Sequence, residues 1–146
     1  MSFVPDDFVP PRRLATMEFK LEPLGPEHNE ADYAAWTSSM EHIHASPGWA
    51  ESDWPHAMTL DENRGDLERH AHDFEERRGF TYTVLAPQSG AVIGCVYIYP
   101  AEPGGHDARV RSWVCADRAE LDATLRDAVR AWLHDAWPFT SVEYAS

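Results

Sequence analysis

The chain has 146 residues, of which 43% are hydrophobic and 12% aromatic, as is typical of one packed domain rather than a disordered chain. Its 25 acidic and 12 basic residues give a formal net charge of −13, which argues against a nucleic-acid partner because phosphate backbones are repelled. No apolar run approaches the roughly 20 residues that a membrane span needs. We therefore expect a cytoplasmic protein with no membrane partner.

The N-terminal third is predicted to contain an arm, a strand and a helix. Three prolines break any regular period in residues 1–16, which predicts an extended arm, and a single domain is expected over residues 17–146. Alternating apolar and polar side chains predict a first strand from Met17 to Leu24. A first helix is expected to begin near Asn29 and to end at the Ser46-Pro47-Gly48 stop.

The middle of the chain is predicted to form a helix followed by a β-hairpin. A second helix from about Thr59 to Arg78 opens on a capping box formed by Thr59 and Glu62. The residues Phe80–Leu85 and Ala91–Tyr99 are expected to pair as antiparallel strands across a Pro-Gln-Ser-Gly turn. This hairpin is the strongest local pattern in the sequence.

Three further elements are predicted near the C-terminus. Alternation over Asp107–Val114 predicts another strand. A third helix is expected to follow, with Asp117 as its N-cap and Glu120 completing a second capping box. The segment Ser141–Tyr144 is predicted to be a short last strand.

The element order, together with a glycine at Gly94 inside TYTVLAPQSGAVIGCVYIY, resembles the GNAT superfamily of acyl-CoA-dependent N-acyltransferases over residues 17–146. The resemblance implies an α/β (α+β) fold, with a mixed, mostly antiparallel sheet of about five strands flanked by three helices. It also implies transfer of an acyl group from acetyl-CoA, or a related acyl-CoA, to a small-molecule amine. The family's glycine-rich pyrophosphate loop has no counterpart, because the matching junction, CADRAELDATL, contains no glycine.

The resemblance also assigns roles to individual residues. The cofactor would meet Val114, Cys115 and Ala116, mainly through backbone groups, and Arg118, the only cation at that junction. A base must accept the proton of the acceptor ammonium, and the nearest predicted carboxylates are Asp107 and Glu102. Solvation of a turn and a strand end is the alternative interpretation of both carboxylates.

Aromatic residues form the candidate acceptor site. The loop between the first two helices and the second hairpin strand carry residues suited to a cationic or apolar amine: Trp49, Trp54, His56, Tyr97 and Tyr99. Ordinary packing of the core or its rim is the alternative explanation for these side chains.

No metal site is expected from the histidines. Two His-x-His pairs lie in predicted helices, where positions two apart point about 200° away from each other and cannot share a ligand. A second functional hypothesis remains: a non-catalytic GNAT-like module for ligand binding or dimerisation that has lost CoA binding. A homodimer is therefore left open.

Overall fold

The computed structural model describes residues 2–145 and contains one six-stranded sheet. The strands neighbour one another in chain order, and every neighbouring pair is antiparallel except the last, which is parallel. The strands are β1 (Leu14–Ala15), β2 (Lys20–Pro23), β3 (Phe80–Leu85), β4 (Val92–Pro100), β5 (Ala108–Val114) and β6 (Val142–Tyr144).

Within residues 2–145, four α-helices cover the two faces of this sheet: α1 (Asn29–Thr37), α2 (Met40–Ala45), α3 (Leu60–Glu75) and α4 (Asp122–Ala136). Successive strand residues point to opposite faces. Accordingly, Val96 belongs to the buried cluster that packs against α4, and Cys95 belongs to the cluster that contains Trp36 of α1 and Leu67 of α3. The predicted fold class, a mixed and mostly antiparallel sheet flanked by helices, is confirmed.

The extra strand arises inside the predicted N-terminal arm. Leu14 pairs with Leu21, so that β1 adds a short antiparallel edge to β2. Further upstream, Val4 is buried against the α4 face and Phe3 stacks on Phe80 with ring centroids 5.9 Å apart. Apolar side chains thus hold the arm on the body of the domain.

The extra helix arises because the predicted first helix divides into α1 and α2. The hydroxyls of Thr37 and Ser38 donate to backbone carbonyls of the preceding turn, at 2.6 and 2.9 Å. Side chains that bond to the backbone in this way compete with helix continuation. The hydroxyl oxygen of the next residue, Ser39, accepts a hydrogen bond from the amide of Ala116 and does not cap α2.

The predicted start of the third helix at Asp117 is wrong. A 3₁₀ turn occupies Ala116–Leu121, and α4 begins at Asp122. The preceding residue, Leu121, makes no side-chain capping hydrogen bond. The non-helical backbone of Arg118 (φ −124°, ψ 25°) interrupts this 3₁₀ segment. The expected capping box of Asp117 and Glu120 is therefore absent, whereas that of Thr59 and Glu62 is confirmed.

Candidate active site

A cavity of about 320 Å³ lies between α1, α3 and the face of the sheet formed by β4 and β5. Its size suits a small molecule. Five chain segments and an isolated leucine supply its lining: Leu24, Asp32, Trp49, Trp54, Asn63, Asp66, Leu67, Arg69, His70, Tyr97, Tyr99 and Arg111. Four of the five predicted acceptor-site residues are in this set.

Three aromatic rings form one wall of the cavity. The ring centroids of Trp49 and Trp54 are 5.4 Å apart, and that of Tyr97 lies 5.5 Å from the Trp49 centroid. The Trp49 indole donates from Nε1 to the carbonyl of Ser112 at 2.9 Å, and the Tyr97 hydroxyl accepts from Trp113 Nε1 at 2.9 Å. These bonds hold the rings in place, so they present a fixed apolar and π-rich surface.

Asp32 places a buried carboxylate in the same cavity. Its Oδ2 accepts from Asn63 Nδ2 at 3.1 Å, while Asn63 also donates to Asn29 and accepts from Trp36 Nε1. Burial raises the pKa of Asp32 to about 6, and the hydrogen bond from Asn63 opposes this rise only in part. The carboxylate is therefore held in one orientation and titrates near neutral pH.

His70 is the second titratable group of the cavity, and two hydroxyl groups contact its Nδ1. The oxygen of Tyr99 lies 2.9 Å from Nδ1, and that of Thr81 lies 3.1 Å from it. The Tyr99 hydroxyl also donates to Asp73 Oδ2 at 2.9 Å, so this group of side chains holds the ring in one orientation. Burial lowers the pKa of His70 to about 4, so the ring is neutral at pH 7.

Neither Asp32 nor His70 was predicted as a site residue, although the sequence carries a signal for both. Asp32 precedes the buried Trp36 by four residues, and His70 lies three after Leu67 and four before Phe74. Residues at these spacings share one helix face. Both polar side chains therefore fall on the inner faces of their helices, where a titratable group needs a reason to be buried.

Among the predicted base and acceptor-site residues, three lie outside the cavity lining. His56 is exposed and its ring contacts the carbonyl of Ala57, and Glu102 is exposed in the turn between β4 and β5. Asp107 Oδ2 accepts from the amides of Thr140 and Ser141, at 2.8 and 3.2 Å, and these bonds lower the pKa of Asp107. The observed contacts of Asp107 anchor the segment before β6, and the base role of Asp107 and Glu102 stays a prediction.

The junction between β5 and α4, where the cofactor was expected, has few available donors. The amide of Cys115 donates to Ile93, that of Ala116 to Ser39 Oγ and that of Arg118 to Cys115, at 2.8 to 2.9 Å. No side chain caps this turn. A pyrophosphate needs several backbone amides pointing at it, and three amides of this junction are already paired within the protein.

The outer edge of β5 beside this junction is only partly covered by a partner strand. The parallel pairing of β5 with β6 ends at Val110 and Tyr144, so residues 111–114 extend beyond their partner strand. In this stretch, the Ser112 carbonyl accepts a hydrogen bond from the Trp49 indole. Val114, one of the predicted cofactor contacts, lies at the end of the stretch and is buried.

Within residues 2–145, no group of three or more His, Cys, Asp or Glu side chains is arranged to hold a metal ion. Both cysteines are free and buried. None of the helices in this part of the chain is long and apolar enough to cross a membrane.

Residues 19–145 match the family model of the GNAT acetyltransferase domain. The chain therefore belongs to the GNAT acetyltransferase family. No curated protein sequence matches it.

Solved acetyltransferases share the fold at low identity. A putative ribosomal-protein-serine acetyltransferase from Vibrio cholerae is 13% identical, with 97% of this chain and 74% of that chain covered and a TM-score of 0.72. The ribosomal-protein-S5-alanine acetyltransferase from Vibrio fischeri is 11% identical, with 85% and 68% covered and a TM-score of 0.63.

The microcin C7 self-immunity acetyltransferase MccE, solved with acetyl-CoA and AMP, is 11% identical, with 83% and 66% covered and a TM-score of 0.56. At these identities, the likeness establishes the fold and leaves the substrate to the site.

Proposed function

We propose that the chain is an N-acyltransferase that transfers an acyl group from acetyl-CoA, or a related acyl-CoA, to a small organic amine. Family membership supports acyl transfer, and structural neighbours solved with CoA or acetyl-CoA support the donor. One observation carries the acceptor assignment: the buried Asp32 carboxylate faces a cavity walled by three aromatic rings.

The cavity supplies two kinds of attraction for an ammonium group. The faces of Trp54 and Tyr97 attract a cation through their π electrons, most strongly where water is excluded, whereas the Trp49 ring already contacts the Arg111 guanidinium. Asp32 supplies the opposite charge, since its Oδ2 is held by Asn63 and no hydrogen-bond donor of residues 2–145 contacts its Oδ1. An amine bound here would lie between the aromatic wall and this oxygen.

Asp32 is also the best-placed base for the reaction. Acyl transfer requires the ammonium nitrogen to lose a proton before its lone pair can attack, and Asp32 Oδ1 can accept that proton. A base works best when its pKa lies near the working pH, and the pKa of about 6 at Asp32 meets this condition better than the pKa of about 4 at His70. We expect kcat/KM to rise as pH increases through about 6.

His70 has a different part in this proposal. Its neutral ring keeps Nε2 without a hydrogen-bond partner in residues 2–145, and the contacts of Nδ1 with Tyr99 and Thr81 fix the ring orientation. A hydrogen bond between Nε2 and the acceptor would orient the acceptor. Acyl-CoA, when bound, supplies the electrophilic thioester carbonyl. No step of the proposed reaction involves the junction between β5 and α4.

The test is acyl transfer by the purified chain, measured as release of free CoA thiol with acetyl-CoA and a panel of organic amines. Asp32→Asn keeps the shape and the Asn63 contact but removes the base, so kcat/KM should fall by about 100-fold or more. Glu30→Gln, an exposed change on the same helix, is the matched control and should leave the rate unchanged. Retention of full activity in Asp32→Asn would refute the role of this carboxylate.

A second candidate function is a non-catalytic module that binds an organic cation. This candidate is favoured by the amides of Cys115 and Ala116, because both already donate to oxygen atoms of the protein and are not free to bind CoA. Calorimetry separates the candidates. Amine binding without thiol release, together with no heat from acetyl-CoA at millimolar concentration, would support the binding module and refute the acyltransferase.

A further inference from the structure

Two arginines on one strand have no acidic partner within residues 2–145. Arg109 and Arg111 are two residues apart on β5, so both side chains lie on the cavity face of the sheet. In that part of the chain, no carboxylate oxygen lies within 4.0 Å of either guanidinium. Two cations on the same face of one strand repel each other, so an anion between them would be stabilising.

The two guanidinium groups line a groove of about 550 Å³ with Gly48, Ala50, Glu51 and Ser52. Arg111 also lines the aromatic cavity, so one side chain borders both spaces. A ligand that fills the cavity therefore reaches Arg111, and Arg109 lies one step further along the groove.

Stacking holds Arg111 in a defined plane. Its guanidinium carbon lies 4.2 Å from the centroid of the Trp49 ring, which leaves the N–H edges free to point outward. Partial burial and the adjacent Arg109 charge both lower the pKa of Arg111. Glu51 is the carboxylate that faces the groove, and it is not within ion-pair distance. An anion between the two arginines would relieve their mutual repulsion.

We propose that Arg109 and Arg111 form a subsite for the anionic group of the acceptor, a carboxylate or a phosphate. Two guanidinium groups can hold either anion through paired N–H donors. The acceptor would then be a zwitterion, with its ammonium between Asp32 and the aromatic wall and its anionic end in the groove. This assignment rests on the proposed function for the ammonium half and on the unpaired arginines for the anionic half.

The first experiment tests the anionic half without catalysis. Inorganic phosphate is titrated at constant ionic strength while the Trp49 Nε1–H resonance is followed by NMR, because this indole lies directly under Arg111. The wild type should show a saturable shift, and Arg109→Gln and Arg111→Gln should each weaken it at least fivefold. Arg64→Gln, an exposed change on α3, should behave as the wild type. No saturable shift, or an equal response in all four proteins, overturns the subsite.

The second experiment tests whether the anion belongs to the acceptor. α-Amino acids are compared with the amines that lack their carboxylate, for example phenylalanine with 2-phenylethylamine, across a panel of side chains. For the best pair, the amino acid should bind at least tenfold more tightly than the amine without the carboxylate. Arg111→Gln should reduce this ratio of affinities to about one. A ratio near one in the wild type overturns the proposal.

The remaining outcomes separate this proposal from the proposed function. If no amine binds while phosphate still shifts Trp49, the acceptor assignment fails and the anion subsite stands. If Arg109→Gln and Arg111→Gln weaken acetyl-CoA binding but leave the amino-acid ratio unchanged, the arginines serve the acyl donor and the zwitterion proposal is wrong.

Discussion

The aromatic cavity and the junction between β5 and α4 use their polar groups differently. In the cavity, Asp32, His70 and Arg111 each keep at least one polar atom without a partner in residues 2–145. At the junction, the amides of Cys115 and Ala116 both donate to protein oxygens. The cavity thus keeps polar atoms available for a ligand, whereas two amides of the junction are already used within the protein.

This difference has a physical basis. Buried polar groups in folded proteins are normally hydrogen-bonded, because an unpaired group loses its interaction with water and gains nothing in return. Groups left unpaired around a cavity are therefore ready for a ligand, whereas paired amides must first break a bond. The comparison predicts that the cavity binds a ligand in its present form and that the junction needs a change.

The largest expected effect concerns His70. Its pKa is near 4 in the folded chain and 6.5 in a free side chain, so the neutral ring stabilises the fold above pH 6.5 and this stability is lost as pH falls through about 4. Since one pKa unit corresponds to about 1.4 kcal/mol, the loss amounts to between about 3 and 4 kcal/mol. His70→Asn, which cannot titrate, should lack this loss in urea unfolding measured from pH 7 to pH 4.

His72→Asn is the matched control for that measurement. His72 lies on the same helix but is exposed, so its replacement should leave the slope of stability against pH unchanged. Equal slopes for the wild type and His70→Asn would show that the ring is not held neutral.

The second effect is slightly smaller and has the opposite sign. The pKa of Asp32 is about 6 in the fold against 3.8 in a free side chain, so its contribution is fully present below pH 3.8 and is lost as pH rises through about 6. Asp32→Asn should therefore be more stable than the wild type at pH 7, by up to about 3 kcal/mol, and should lose this advantage near pH 4. Unfolding in urea at the two pH values measures the difference.

These two titrations oppose each other between pH 4 and pH 6 in the wild type. The two contributions therefore partly cancel in a plot of wild-type stability against pH, and only the single variants separate them. A variant Asp32→Asn that is less stable than the wild type at pH 7 would contradict the assigned burial of this charge.

A smaller effect is expected when the junction is opened. Ser39→Ala removes the acceptor of the Ala116 amide, which should cost about 1 kcal/mol of stability and free one donor beside Val114. If acyl-CoA uses this amide, its affinity should rise about 2- to 10-fold, since one hydrogen bond contributes about 0.5–1.5 kcal/mol. Calorimetry with acetyl-CoA measures the change.

The smallest effect is expected at Asp117. Its exposed carboxylate makes no hydrogen bond to the amides that open the 3₁₀ turn, so Asp117→Asn should change acetyl-CoA affinity by less than about twofold. A larger gain than that of Ser39→Ala would show that charge, rather than paired amides, closes the junction.

Local patterns determined much of the fold in advance. The hairpin of β3 and β4 follows from period-two alternation around a proline–glycine turn, and the capping box of Thr59 and Glu62 follows from side chains only three residues apart. The resemblance to the GNAT superfamily rested on this element order, and the family match confirms it. Four of the predicted aromatic residues line the cavity because the loop and β4 that carry them were placed correctly.

Contacts between distant parts of the chain decided the rest. Asp32 meets Asn63 of another helix, 31 positions away, and His70 meets Tyr99, 29 positions away. The amide of Ala116 meets Ser39 across 77 positions, a contact that the local sequence around Asp117 does not predict. Local sequence specifies which side chains share a strand or helix face, because that depends on the backbone period. Which group pairs with a buried amide or carboxylate depends on what packing brings near it, and only the tertiary structure shows that.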